Sequence, residues 1–388
     1  MAIVGLILYK STLNPVFVFN IIWLSVCSLY GLRISPLQAV LTDRTCIYLL
    51  CSNISFTLVC IMTYTFSRGG MRGVHNISFA SLKKHYLMWL FIEIFETIYS
   101  GGFPLLWSLL GIGGGKTYKN YGIHTLHGFA NAYGLSIITI ITYLLVSNHN
   151  PKKSGEMKKI IAIMLIGYTL MLTRQVIVSA LIQMVVVYCM VNKKIPVKKL
   201  FYICLLGMLC FGILGNIRTG YDSFLEVANI ESKINPVFIG IYWVYMYLTM
   251  QLANLNKLFM LYFTPVGMSF MFVHIIPSVL RDISNYNRPD FLVTPAFNVS
   301  GYSSDAYVAL GFIGLIVISA IFGFVSGKTY KSFKRKNSMK NTIYYVICVQ
   351  IILISFFINS LFYMPSGFQF VIIYFLFNVR FTSKKTLH

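Results

Sequence analysis

Residues 15–32 read PVFVFNIIWLSVCSLYGL, a stretch without a single charge. A helix of roughly this length, rising 1.5 Å per residue, reaches most of the way across ~30 Å of hydrocarbon. Inside a bilayer the backbone must satisfy its own hydrogen bonds, so such a run is read as a helix. Comparable runs recur at 45–66, 85–100, 123–146, 159–173, 175–191, 200–215, 238–252, 262–280, 306–325, 342–360 and 367–379. The expectation is an all-α polytopic membrane protein with about twelve spans, a single membrane domain over residues 1–388. Composition agrees, with 57% hydrophobic and only 11% charged residues, against about 25% charged in soluble domains. The first run is long enough to remain as an anchor, so no cleaved leader is expected.

The formal net charge of +22 would suggest nucleic acid in a soluble chain, but here it sorts by loop. Basic clusters lie at Arg68 to Lys84, Lys152 to Lys159, Lys193 to Lys199, Lys328 to Lys340 and Arg380 to Lys385. They fall on every second connection, so the positive-inside rule puts them and both termini in the cytoplasm. That leaves 101–122, 216–237 and 281–305 as external loops and 326–341 as a basic cytoplasmic loop. No nucleic-acid partner is expected. All eight cysteines fall in apolar runs, where they read as small packing residues rather than a disulfide framework or a metal motif.

The segment GGGKT at 113–117 resembles the end of a phosphate-binding loop, which needs G-x-x-x-x-G-K-[ST] between a strand and a helix. Leu110 stands where the first glycine belongs, no strand precedes it, and the loop falls on the external side. A flexible turn is the expected reading, and no cofactor is implied.

Basic residues differ in type between the sides. The inside carries nineteen lysines and four arginines, the outside three lysines and six arginines (Arg33, Arg44, Arg174, Arg218, Arg281 and Arg288). Orientation needs only positive charge, whereas a planar bidentate donor suits phosphate or carboxylate. Arg174, Arg218, Arg281 and Arg288 are therefore candidates for an anionic ligand, or for pairing with external acids such as Asp222, Glu226 and Asp290. Arg174 interrupts the apolar stretch YTLMLTRQVIVSALIQMVV, where an ionisable group marks a bundle-facing or water-lined site. Glu93 and Glu96 share one helix face near the outer end of the third span, either as partners for arginines or as acid–base groups. His124 and His127 open the fourth span. Their spacing suits a metal, but no further ligands accompany them, so no metal is expected; capping, substrate binding and proton transfer stay open. Tyr221 and Tyr302, in the external loops, read as residues that stack on a ligand or equally as interface anchors.

The segments NPVFVFNIIWL, ETIYSGGFPLLW, YKNYGIHTLHGF, LTRQVI, GNIRTGY, YWVYMYLTMQLANL and SSDAYVALGFIGLI together resemble the bacterial oligosaccharide repeat-unit polymerases, the O-antigen polymerase (Wzy) family. The resemblance spans nearly the whole chain and is most specific over 101–127. It implies a fold related to the lipid-sugar (GT-C-like) glycosyltransferases and O-antigen ligases, in the bacterial inner membrane. The implied donor and acceptor are undecaprenyl-diphosphate-linked oligosaccharides, joined on the periplasmic face, and a chain-length regulator protein is an implied partner. On this reading Arg174 and Arg218 hold the donor diphosphate, Arg281 or Arg288 the acceptor lipid, and His127 or Glu96 takes the acceptor proton, with Glu93, His124, Tyr221, Asp222 and Tyr302 as possible substrate contacts. The family pattern has proline where this chain has His124, which makes any role of His124 local to this protein. A lipid-linked oligosaccharide flippase and an O-antigen ligase are the competing expectations. A flippase should show paired internal repeats, and no obvious repeat is present.

Overall fold

The computed structural model describes residues 1–67, 77–112, 114–116, 118–148, 151–196, 198, 201–202, 205, 221–230, 235, 238–277, 280 and 289–378. The described residues form helices and connections, with no strand among them. In chain order these are α1 (Ala2–Tyr9), α2 (Pro15–Gly31), α3 (Asp43–Phe66), α4 (Phe79–Ser100), α5 (Pro104–Leu110), α6 (Leu126–Val146), α7 (Ser154–Leu170), α8 (Arg174–Asn192), α9 (Tyr221–Val227), α10 (Ile239–Met260), α11 (Ser269–Phe272), α12 (Tyr302–Arg335), α13 (Met339–Leu353), α14 (Met364–Gly367) and α15 (Gln369–Asn378). Short polar residues start several of them: Asn14, Thr42, Ser78 and Ser338 each accept a first-turn N–H, which satisfies donors that a helix start otherwise leaves unpaired.

Four helices, Asp43–Phe66, Leu126–Val146, Arg174–Asn192 and Tyr302–Arg335, are long and apolar enough to cross a membrane. This is the architecture of a helical membrane protein. Most of the expected runs coincide with helices. The turn at Arg174 is real, since α7 and α8 are separated only by Met171–Thr173, with Leu172 at φ +56°. The run 200–215 lies largely outside the described residues.

The run 262–280 is a correction. Residues 262–267 have no regular structure and only the four-residue α11 follows. Pro265 lacks an N–H, and Gly267 sits at φ +102°, so a continuous helix cannot pass. The segment has a different task. α12 is broken at Gly311 (φ 63°, ψ −144°), which would orphan carbonyls of the preceding turn. Val266 and Gly267 donate their N–H groups to the carbonyls of Val308 and Ala309 at 3.1 and 2.9 Å. The irregular segment and the broken helix thus satisfy each other's backbone groups.

The rest of α12 packs on α3 through Gly323 and Gly327. A Cβ on either would stand 2.5 Å from the backbone oxygen of Phe56 or Cys60. Two glycines four residues apart therefore let the helices touch backbone to backbone, where dispersion between close surfaces replaces the missing hydrophobic drive. Tyr302 belongs to this same core, against the expectation of a loop residue stacking on sugar. It is fully buried, stacked on Phe322, and its hydroxyl meets Ser52 Oγ at 2.6 Å and Ser319 Oγ at 3.0 Å. A second polar seam joins α6, α8, α13 and α15. Gln183 donates to Gln350 and Gln369 and accepts from Thr139, so these buried amides are mutually satisfied.

Three lysines tie helix ends together: Lys83 pairs with Glu156 at 2.7 Å, Lys331 donates to the Thr65 carbonyl, and Lys340 reaches Asn378. They join the C-terminal ends of α3, α12 and α15 and the N-terminal ends of α4, α7 and α13, the lysine-rich end of the bundle. The chain leaves α4 at its other end, and that end carries the acids.

Candidate functional site

α4 presents Glu93 and Glu96 one turn apart, about 14–18 Å along the axis from Lys84 at 1.5 Å per residue. The helix then stops at Gly101, whose φ of +78° closes the last turn. The return path to α6 is drawn tight against that stop. Lys116 donates to the Ser100 carbonyl at 3.0 Å and lies over the Trp107 ring, so the lysine of GGGKT caps a helix end instead of facing a phosphate. Gly122 donates its N–H to Ser100 Oγ at 2.9 Å. Its φ is +83°, and a Cβ there would lie 2.8 Å from His127 Cβ and Cγ, so only glycine fits. Thr125, a β-branched residue at φ +73°, is a backbone outlier two residues before His127, the kind of strain that accumulates around working sites.

This path brings His127, in the first turn of α6, onto Glu96. His127 Nδ1 is 2.8 Å from Glu96 Oε2, while Glu96 Oε1 accepts the Ile123 N–H at 3.0 Å. Glu96 is fully buried and the His127 side chain is 21% exposed, so the pair is closed on the carboxylate side and open on the imidazole side. Tyr121 stands edge-on to the imidazole at 5.3 Å, and its hydroxyl meets Thr97 Oγ1 at 2.9 Å. Burial, with the Glu93 and Glu96 charges adding to it, pushes the Tyr121 phenol well above its usual range, so it is a neutral hydrogen-bonding wall.

Glu93 lies behind the pair. It is 5% exposed, and the Trp89 indole faces its carboxylate outside good hydrogen-bond geometry. Trp89, one turn earlier on α4, packs on Tyr168 at 5.7 Å, and the Trp89 indole N–H and Tyr168 hydroxyl converge over Gly134. One ligand atom each from Glu93, Glu96 and His127 lies within 4.8 Å of the others. The sequence puts Glu93 and Glu96 on one helix face and His127 at the start of the next span, with no further metal ligand at a recognisable spacing from the histidine. The structure supplies two carboxylates there.

The other expected site residues divide. His124 is exposed. Arg174 is exposed at the first position of α8, and since α7 rises from the lysine-bearing end, this start belongs to the same end of the bundle as His127. Tyr221 and Asp222 open the short helix α9, with Asp222 exposed. Arg218, Arg281 and Arg288 lie outside the described residues. Arg44 is held in the fold, donating to the Phe259 carbonyl and the Tyr307 hydroxyl. Sequence reasoning missed Tyr121, Thr97 and Gly122; the positive φ that Gly122 requires was the one signal available.

No family model, curated protein or solved structure matches this chain.

Proposed function

We propose that this chain is a multi-pass inner-membrane glycosyltransferase that polymerises undecaprenyl-diphosphate-linked oligosaccharide repeat units on the periplasmic face, with a GT-C-like or O-antigen ligase-like architecture. The observation that carries the reading is the Glu96–His127 pair: a fully buried carboxylate holding one nitrogen of an imidazole whose other side is open. That is the arrangement of an oriented proton acceptor. With the lysine-bearing ends in the cytoplasm, the pair lies on the external side, where the expected substrates are.

The transfer needs two things. An acceptor sugar hydroxyl bonds the anomeric carbon of the donor as the carbon–oxygen bond to the diphosphate breaks, its electron pair leaving on the diphosphate. The hydroxyl proton goes to His127, with Glu96 stabilising the imidazolium as it forms. The charge gathering on the diphosphate is met by arginine, for which Arg174 and Arg218 are the first candidates and Arg281 and Arg288 the second. The resemblance of the 101–127 block to the repeat-unit polymerases supports the same reading, because it covers the segment that brings His127 to Glu96.

The test is a gel of surface glycan from the parent strain with and without the gene. The reading expects the ladder to collapse to core carrying a single repeat. Loss of all repeat-bearing bands would turn the reading to a flippase or ligase, and an unchanged ladder would end it.

A further inference from the structure

Glu93 is the residue the transfer scheme leaves unused, and it is the hardest to account for as packing. Its carboxylate is 95% buried by the 5% exposure above, has only the Trp89 indole as a donor and that outside good hydrogen-bond geometry, and shares its surroundings with a second, fully buried carboxylate. Two carboxylates this close inside a low-dielectric helix bundle repel one another and forgo water. His127 Nδ1 already faces Glu96 at 2.8 Å and not Glu93's free side. A cation shared by both carboxylates and the imidazole would relieve both penalties at once.

We infer that Glu93, Glu96 and His127 bind one divalent cation of the Zn²⁺ or Mn²⁺ class between α4 and the start of α6. Their ligand atoms lie within 4.8 Å of one another, so a side-chain adjustment of about half an ångström brings all three within bonds of about 2.0–2.2 Å to a shared ion. Two carboxylate oxygens with one imidazole nitrogen favour Mn²⁺ or Zn²⁺ over the softer metals that prefer thiolate. Three protein ligands leave coordination positions free, and the exposed flank of His127 is where an outside ligand would enter. The second shell is in place on Glu96, whose Oε1 takes the Ile123 N–H, and outer partners of this kind fix ligand orientation. The turn that presents His127 is pinned by Gly122 and strained at Thr125.

Cation binding stands on this geometry alone; its use in glycosyl transfer rests on the function proposed above. With the ion bound, Glu96 and His127 become ligands. An acceptor hydroxyl on the exposed flank of His127 would coordinate the ion, which would lower its pKa, its proton passing to solvent as its oxygen bonds the anomeric carbon and the diphosphate departs with the electron pair.

The test uses the full chain purified in detergent on a tag free of histidine, stripped with chelator and titrated with Zn²⁺ and with Mn²⁺ by calorimetry. One equivalent is expected to bind, weakened about 10-fold or more in Glu93→Gln and in His127→Gln. Glu93→Gln preserves volume and polarity, so it should fold; should either variant fail to, Mn²⁺ bound to the parent protein must still show the hyperfine coupling of a single imidazole nitrogen by pulsed EPR. Absence of saturable binding, binding indifferent to Glu93→Gln, or bound Mn²⁺ without that coupling overturns the site. If the site fails while polymerisation still requires His127, the transfer reading survives with the imidazole as proton acceptor. If the site holds but gene loss leaves the ladder unchanged, the transfer reading falls and the metal site remains.

Discussion

Replacing Gly122 by alanine should separate two costs that the loop 101–125 combines. The first is conformational: a non-glycine residue at φ +83° costs about 1–2 kcal/mol. The second is collision, since the new Cβ would stand 2.8 Å from His127 Cβ and Cγ, where carbon atoms prefer about 3.5 Å or more. Relief requires a movement of roughly 0.7 Å, and forcing it in a packed site costs about 1–3 kcal/mol more. A shift of that size is enough to carry the 2.8 Å contact between His127 and Glu96 past the ~3.2 Å limit of a good hydrogen bond. Gly111→Ala is the matched control, because Gly111 also has positive φ, +67°, but nothing within 4 Å of its would-be Cβ. Thermal unfolding of the two variants in detergent should differ by the collision cost. In a complemented strain, Gly122→Ala should slow glycan polymerisation on the order of 10²-fold, the usual penalty for misplacing a catalytic group by about 1 Å, whereas Gly111→Ala should support a full ladder. Equal stability and equal ladders in the two strains would refute the claim that Gly122 fixes His127.

Glu96→Gln keeps an acceptor for the Ile123 N–H but removes the charge facing His127, so polymerisation should fall on the order of 10²–10⁴-fold with helical circular dichroism unchanged; an active variant would strip Glu96 of its role. Tyr302→Phe removes a hydroxyl but leaves Ser52 and Ser319 bonded to each other at 2.7 Å, so unfolding stability should drop by about 1 kcal/mol while the ladder keeps its length. A changed ladder at unchanged stability would return Tyr302 to the substrate. Arg218→Lys retains charge but not the bidentate fork, and should abolish most polymerisation as judged from the gel; full activity would remove Arg218 from the diphosphate.

The helical class was legible because uncharged runs such as 15–32 leave a bilayer-spanning chain few alternatives. The break at Gly311 was not, since a lone glycine in an apolar helical pattern is tolerated more often than it interrupts. Its partner segment misled for the complementary reason: 262–280 carries no lysine, arginine or acid, but Pro265 and Gly267 make it a strap whose N–H groups serve another helix. Tyr302 sits in GYSSDAY, which reads as a polar loop. The structure buries Ser303, Ser304 and Asp305 along with it, because the short half-helix before Gly311 is enclosed by protein on all sides. At the candidate site, the spacing of Glu93 and Glu96 already put both carboxylates on one face. Their meeting with His127 depends on a path of some twenty-five residues whose turns are set by Gly101, Gly122 and Thr125, and only the glycines announce themselves in sequence.

The central claim is that the Glu96–His127 pair does the chemistry of chain lengthening. The most direct measurement is the surface-glycan gel of a gene-deleted strain complemented with the parent chain or with His127→Ala, at matched protein levels in the membrane. The account predicts a restored ladder with the parent chain and a single repeat on core with His127→Ala. A full ladder with His127→Ala would contradict it.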